Sequence, residues 1–136
     1  MRILAGALAL LLGLNAIAML FASYWWYGAV PGVITTGPFN PHFVRDIGAA
    51  YLVTALGLAW FAARPVQGWP ALVLAAVFLA LHAIIHVYDA ACSASPVPFV
   101  LRDLPGVYLP AVLALAIAVV RHPRAAKPRT LSPTAP

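Results

Sequence analysis

Four long apolar runs, over residues 3–22, 43–63, 70–91 and 104–120, take up most of this chain. Each spans about 17–22 residues, roughly what an α-helix needs to cross ~30 Å of hydrocarbon. Lipid gives backbone amides no partners, so each run is expected to be helical. The charge content agrees. Only 8% of the 136 residues are charged, where a soluble domain carries about 25%. The expectation is an all-α membrane protein, an up-down-up-down bundle of four transmembrane helices. They run over about 3–22, 41–63, 70–91 and 104–121, within one domain of residues 1–122. The first run also has the arginine and small residues of a signal peptide, but its apolar stretch exceeds the about 7–15 residues of a signal core. A retained helix is expected.

Arginine and lysine set the orientation. With the N-terminus inside, Arg2, Arg64 and the tail residues Arg121, Arg124, Lys127 and Arg129 are cytoplasmic, and only Arg45 and Arg102 fall outside. That asymmetry obeys the positive-inside rule. Both termini are therefore expected in the cytoplasm. The net charge of +5 does not point to nucleic acid: half of the basic residues cluster just after the last apolar run, where they set topology or meet anionic lipid. Residues 123–136 form a basic, Pro-rich tail expected to be disordered. Cys92 is the only cysteine, which excludes an internal disulfide and a CxxC redox pair.

Asn40-Pro41 predicts an N-cap followed by proline at the first helical position. Pro70 is placed to start the third helix, and Asp103 to cap the fourth. Pro110, one turn into the fourth helix, should kink it. Residues 23–41 form a long loop opening with Tyr24, Trp25, Trp26 and Tyr27, which read as an interfacial aromatic belt. This loop is expected to lie on the outer surface and cover the bundle. Gly6, Gly13 and Gly57 are expected to allow close helix packing, and Asn15 to act as polar glue between helices.

Chemistry concentrates at one end. His82, His86 and Asp89 share a stripe about 60° wide on the third helix. His42, Arg45 and Asp46 open the second helix at i, i+3, i+4 spacing. The two helices run in opposite directions, so both groups are expected at the outer end, facing each other, with Arg102 and Asp103 nearby. Intramembrane ionisable residues are costly and mark function by default.

The leading reading is a metal site of His42, Asp46, His82, His86 and Asp89, whose nitrogen and oxygen donors suit zinc, iron or copper; a haem held by two histidines is a variant of it. Arg45 or Arg102 would neutralise an anionic group. A carboxylate can instead orient a histidine. A metal-free alternative makes His42, Asp46 and His82 the catalytic candidates, shuttling protons on a lipophilic substrate. Two further alternatives are an accessory subunit of a larger membrane complex or a homo-oligomer, with the polar cluster structural, and a proton or small-solute pathway.

Trp26-Tyr27, Val30-Pro31-Gly32-Val33, the continuous stretch from Thr36-Gly37-Pro38-Phe39 to Tyr51, Leu81-His82 to Asp89, and Asp103-Leu104-Pro105-Gly106 together resemble a group of small bacterial four-helix integral membrane proteins of unassigned function, loosely similar to DoxX-like proteins. The resemblance covers nearly the whole chain apart from the tail. It implies the four-helix topology and a bacterial inner-membrane location, and supplies no activity.

Overall fold

A computed structural model describes residues 1–122. The expected tail, residues 123–136, lies outside the described residues. The fold is all-helical, and four helices are long and apolar enough to cross a membrane: α1 (Arg2–Phe21), α3 (Pro41–Ala63), α4 (Trp69–Cys92) and α5 (Pro96–Val120). A short helix, α2 (Ser23–Ala29), and a 3-10 turn, Val33–Thr35, fill the connection between α1 and α3.

Contacts at both ends show the long helices alternating in direction. Arg2, at the start of α1, donates from Nε to the Ala62 carbonyl (2.8 Å) and from Nη2 to that of Ala63 (3.1 Å), at the end of α3. These are carbonyls that a helix C-terminus leaves without internal partners. At the same end the Trp69 indole N–H donates to the Ala118 carbonyl at 3.0 Å, joining the start of α4 to the end of α5. At the other end, His86 of α4 meets Asp103 of α5.

The interior is built largely of small side chains, among them Ala5, Ala16, Ala76 and Ala114. Large apolar residues such as Ile3, Phe21, Val53 and Leu74 face outward. Such packing suits a bundle in lipid, where tails solvate leucine as well as a protein core does, and small residues let backbones approach. Gly48 shows the closest fit of α1 and α3: a Cβ there would lie 2.8 Å from that of Met19. At Gly57 a Cβ would lie 2.9 Å from the Ala71 carbonyl oxygen of α4. Gly6 and Gly13, expected to play the same part, would carry a Cβ at ordinary contact distance.

Four local expectations met different outcomes. Asn40 caps α3 as the motif predicts, its Oδ1 accepting from the backbone N–H of His42 and Phe43. Asp103 does not cap the last helix. That helix begins eight residues before position 104, at Pro96, so Asp103 is an interior helical residue. Just before Pro110, where a kink is expected, the helix passes through a π-helical segment, Leu104–Tyr108, in which the N–H of Leu109 reaches the carbonyl of Leu104. Pro105 and Pro110 each remove a donor, and widening the turn between them lets the helix continue. The 23–41 connection is partly helical: the chain bends at Ala22 and resumes as α2 before Gly32 turns it with φ of 85°.

Candidate functional site

The cavity lies at the loop-capped end. Its volume is about 540 Å³, and α1, α3, α4, the π segment of α5 and the α2 connection all contribute to its wall. Most of the wall is apolar, including Leu11, Val33 and Ile47. Against it stand a few convergent polar groups: Asn15, His82, His86, Arg102 and Asp103. Cavities of this size and mixture hold small organic molecules.

His86 is fixed from one side. Its Nδ1 lies 2.7 Å from Asp103 Oδ2. A carboxylate can only accept, so Nδ1 carries the proton and Nε2 is left as the ring's acceptor. Asp103 is 8% exposed and is held in turn by Arg102, which donates from Nε to Oδ1 (2.6 Å) and from Nη2 to Oδ2 (3.0 Å). This two-pronged pairing orients the carboxylate toward the imidazole. The Arg102 guanidinium also lies 4.6 Å from the centre of the Phe99 ring and packs on Gly32, where a Cβ would collide with it. Gly32 is thus required twice, by its positive φ and by the cation against its α-carbon.

His82 completes the polar wall one turn before His86. The two rings are 4.7 Å apart at 62°. Tyr51 meets the His82 ring edge-on at 5.6 Å, and Phe78 stacks on it at 6.1 Å. Among the described residues the His82 ring makes no hydrogen bond, to Asn15 or to any other group. Asn15 instead accepts the indole N–H of Trp26 on Oδ1 at 2.8 Å, which ties α2 across the cavity to α1. The aromatic run is therefore divided. Tyr24 and Trp25 point outward at 76% and 66% exposed, as a belt would, while Trp26 is a cavity residue.

The second expected group does not join the site. His42 and Asp46 form an i, i+4 pair, 3.3 Å apart, with side chains 87% and 61% exposed. Arg45 is exposed beside them. The reason lies in the register of α3, which buries Val44, Gly48 and Tyr51 against the bundle; His42 and Asp46 stand on the opposite side at 100° per residue. Asp89 is also exposed, in the last turns of α4. The five residues expected as one metal site are consequently spread over two surfaces and a cavity. Among the described residues no three His, Cys, Asp or Glu side chains form a group able to hold a metal ion. The charged groups pair within each cluster, His42 with Asp46 on α3, and His86 and Arg102 with Asp103 at the cavity.

Tyr51, Trp26 and Gly32 were not singled out as site residues by sequence pattern; Asp103 was placed with Arg102 beside the outer cluster, and its contact with His86 was not foreseen. Tyr108, at the end of the π segment, buries its hydroxyl without a hydrogen-bond partner among the described residues. No protein-family model, no curated protein and no solved structure matches this chain.

Proposed function

We propose that this protein is a multi-pass membrane protein, with both termini cytoplasmic in a bacterial inner membrane, that binds a lipophilic small molecule in the cavity and handles a proton there through His86 and Asp103. The observation that carries the reading is the His86–Asp103 pair set in the wall of a mainly apolar cavity. Asp103 holds the imidazole in one tautomer and orientation, and Nε2 is left to take a proton from a bound molecule or return it. Arg102 holds the carboxylate aimed at the ring. His82 and Tyr51 form the adjoining aromatic wall.

Access from the bilayer is consistent with the packing, because α1 and α5, which both line the cavity, hardly touch each other. The orientation rests on the distribution of arginine and lysine, and the bacterial location on the resemblance alone.

Organic extraction of the mildly solubilised protein, followed by mass spectrometry, tests the reading against a His86→Ala variant. A lipophilic compound retained by the wild type and lost in the variant is expected. Equal retention by both proteins, or by neither, would refute it.

A second reading keeps a metal at His82 and His86 alone. Its support is the one-turn spacing of the two rings and the carboxylate behind His86, an arrangement that orients metal-bound histidines. Elemental analysis of the same preparations separates it: stoichiometric metal lost with His86→Ala favours the metal over the organic ligand.

A further inference from the structure

Resting on the organic-ligand reading above, we infer that the cavity opens sideways into the bilayer, through a seam between Leu11 of α1 and Pro105 and Gly106 of the π segment, and that its occupant is a lipid whose chain lies in that seam while its head group reaches His86. The ligand then comes from the hydrocarbon and not from the water outside.

The packing of the long helices carries the inference. Around the bundle, α1 meets α3 closely at Gly48, α3 meets α4 at Gly57, and α4 is joined to α5 by Trp69 at one end and by His86 at the other. The fourth seam differs. Among the described residues, no α-carbon from Pro96 to Tyr108 comes within 8 Å of one in α1; the two helices approach only from Leu109 onward. Leu11, Pro105 and Gly106 flank this gap, and all three are exposed while they line the cavity. A surface residue that also lines a cavity stands at its mouth. Gly106 widens the mouth by lacking a side chain, since a Cβ there would meet nothing within 4 Å.

The mouth lies at hydrocarbon depth. Arg2 and Val120 belong to the same end of the bundle. From that end Leu11 is about 14 Å along α1 and Gly106 about 21 Å along α5, at ~1.5 Å per residue, within the ~30 Å of hydrocarbon. The outer surface beside the seam is apolar, with Leu10, Leu14, Leu109 and Val112 exposed, so acyl chains are what this mouth meets. Behind its apolar rim stand His86 and Asp103. A lipid lying sideways matches that order, chain at the rim and head group at the imidazole. At the loop-capped end, by contrast, the cavity is covered: Trp26 holds α2 to Asn15, and Gly32 packs on Arg102. A chain left in the seam also frees the ligand from the cavity volume of about 540 Å³, because only the head group has to be enclosed.

The test places the full chain in nanodiscs of a phospholipid brominated midway along its acyl chains. Bromine quenches tryptophan on contact, and comparison with a Trp26→Phe protein isolates the share of quenching that belongs to Trp26, which lines the cavity. Wild-type protein is expected to show such a share. Leu11→Phe with Gly106→Phe, which fills the seam, is expected to lose most of it. Leu14→Phe with Val112→Phe puts the same bulk at exposed positions outside the cavity and should keep it. If Trp26 is not quenched, or is quenched equally when the seam is filled, chains do not enter between α1 and α5 and the inference fails. Extraction of the same proteins keeps the two readings apart. Quenching through the seam with no retained compound would remove the organic-ligand reading and leave the entrance. A retained compound with quenching indifferent to the seam would keep that reading and remove the entrance.

Discussion

His42 and Asp46 on α3, and His82 and His86 on α4, have the same i, i+4 spacing, yet they have opposite fates. The α3 pair is a surface contact, with both side chains more than half exposed. The α4 pair lines a cavity, and His86 is fastened to a buried carboxylate from another helix. Spacing along a helix says that two side chains share a face. It does not say which way the face points. That is decided by the rest of the helix, and the site is decided by what the neighbouring helix brings to it.

Removal of the carboxylates should give the widest separation between the two groups. Asp103→Ala strips Arg102 of its counter-ion and His86 of its acceptor, and should cost about 3 kcal/mol, the loss expected when one partner of a buried ion pair is deleted. Asp46→Ala removes one half of an exposed pair and should leave stability within experimental error. Thermal unfolding of both variants in the same detergent gives the comparison. An Asp103→Ala protein as stable as the wild type would mean that the α4 group is as loosely held as the α3 group.

Gly32 tests what encloses the inner group. Alanine there must adopt a φ of 85° and displace the Arg102 guanidinium. The left-handed backbone costs roughly 1–2 kcal/mol, and with the disturbance of Arg102 the total should be about 2 kcal/mol. Gly106→Ala, in the π segment, meets nothing within 4 Å and should not destabilise. Similar losses at both positions in the same unfolding measurement would remove the case for a specific fit between Gly32 and Arg102.

Much of this division was legible in the sequence, though not from the histidines themselves. On α4 the buried positions Leu72, Ala76 and Leu79 continue with helical spacing into His82, Ala83 and His86. On α3 the buried positions Leu58, Tyr51, Gly48 and Val44, followed back toward the N-terminus, pass on the far side from His42 and Asp46. In an apolar helix this stripe is hard to see, because the lipid-facing residues are as hydrophobic as the buried ones. The small residues mark it better: Ala75, Ala76, Gly48 and Gly57 lie where helices meet. The four long helices and the Asn40 cap needed only run length and local pattern. The role of Asp103 depended on where the last helix begins. Reading Asp103 as a cap put it at a helix end, whereas the preceding turns from Pro96 make it an interior residue that faces His86. Tertiary contacts such as Trp26 to Asn15 had no sequence signal beyond the aromatic run itself.

Exchange of the histidines should give a smaller difference than exchange of the carboxylates. His86→Ala loses a hydrogen bond to an ionised group, worth about 1.5 kcal/mol, while Asp103 keeps Arg102. His42→Ala should be neutral, since Asp46 remains solvated. The same unfolding assay applies, and a loss at His42 equal to that at His86 would show that exposure does not distinguish the two pairs. The His86→Ala loss should also be largely absent in an Asp103→Ala background, because the acceptor has already gone.

The smallest effect separates a cavity residue from a belt residue within one aromatic run. Trp26→Phe keeps most of the ring's packing but removes the indole N–H that Asn15 accepts. Side-chain hydrogen bonds between helices in membranes average about 0.6 kcal/mol, so the substitution should cost about that much, and Asn15→Leu should cost a similar amount. Each single change also alters packing, which a single variant cannot subtract. The pair therefore has to be read as a cycle: Trp26→Phe with Asn15→Leu should show a coupling near 0.6 kcal/mol. Trp25→Phe, at an outward-facing position, should show none with Asn15→Leu. A null result for both tryptophans would place Trp26 with Tyr24 and Trp25 as an interfacial anchor. The α2 connection would then cover the cavity through the contact of Gly32 with Arg102, without a tie to α1.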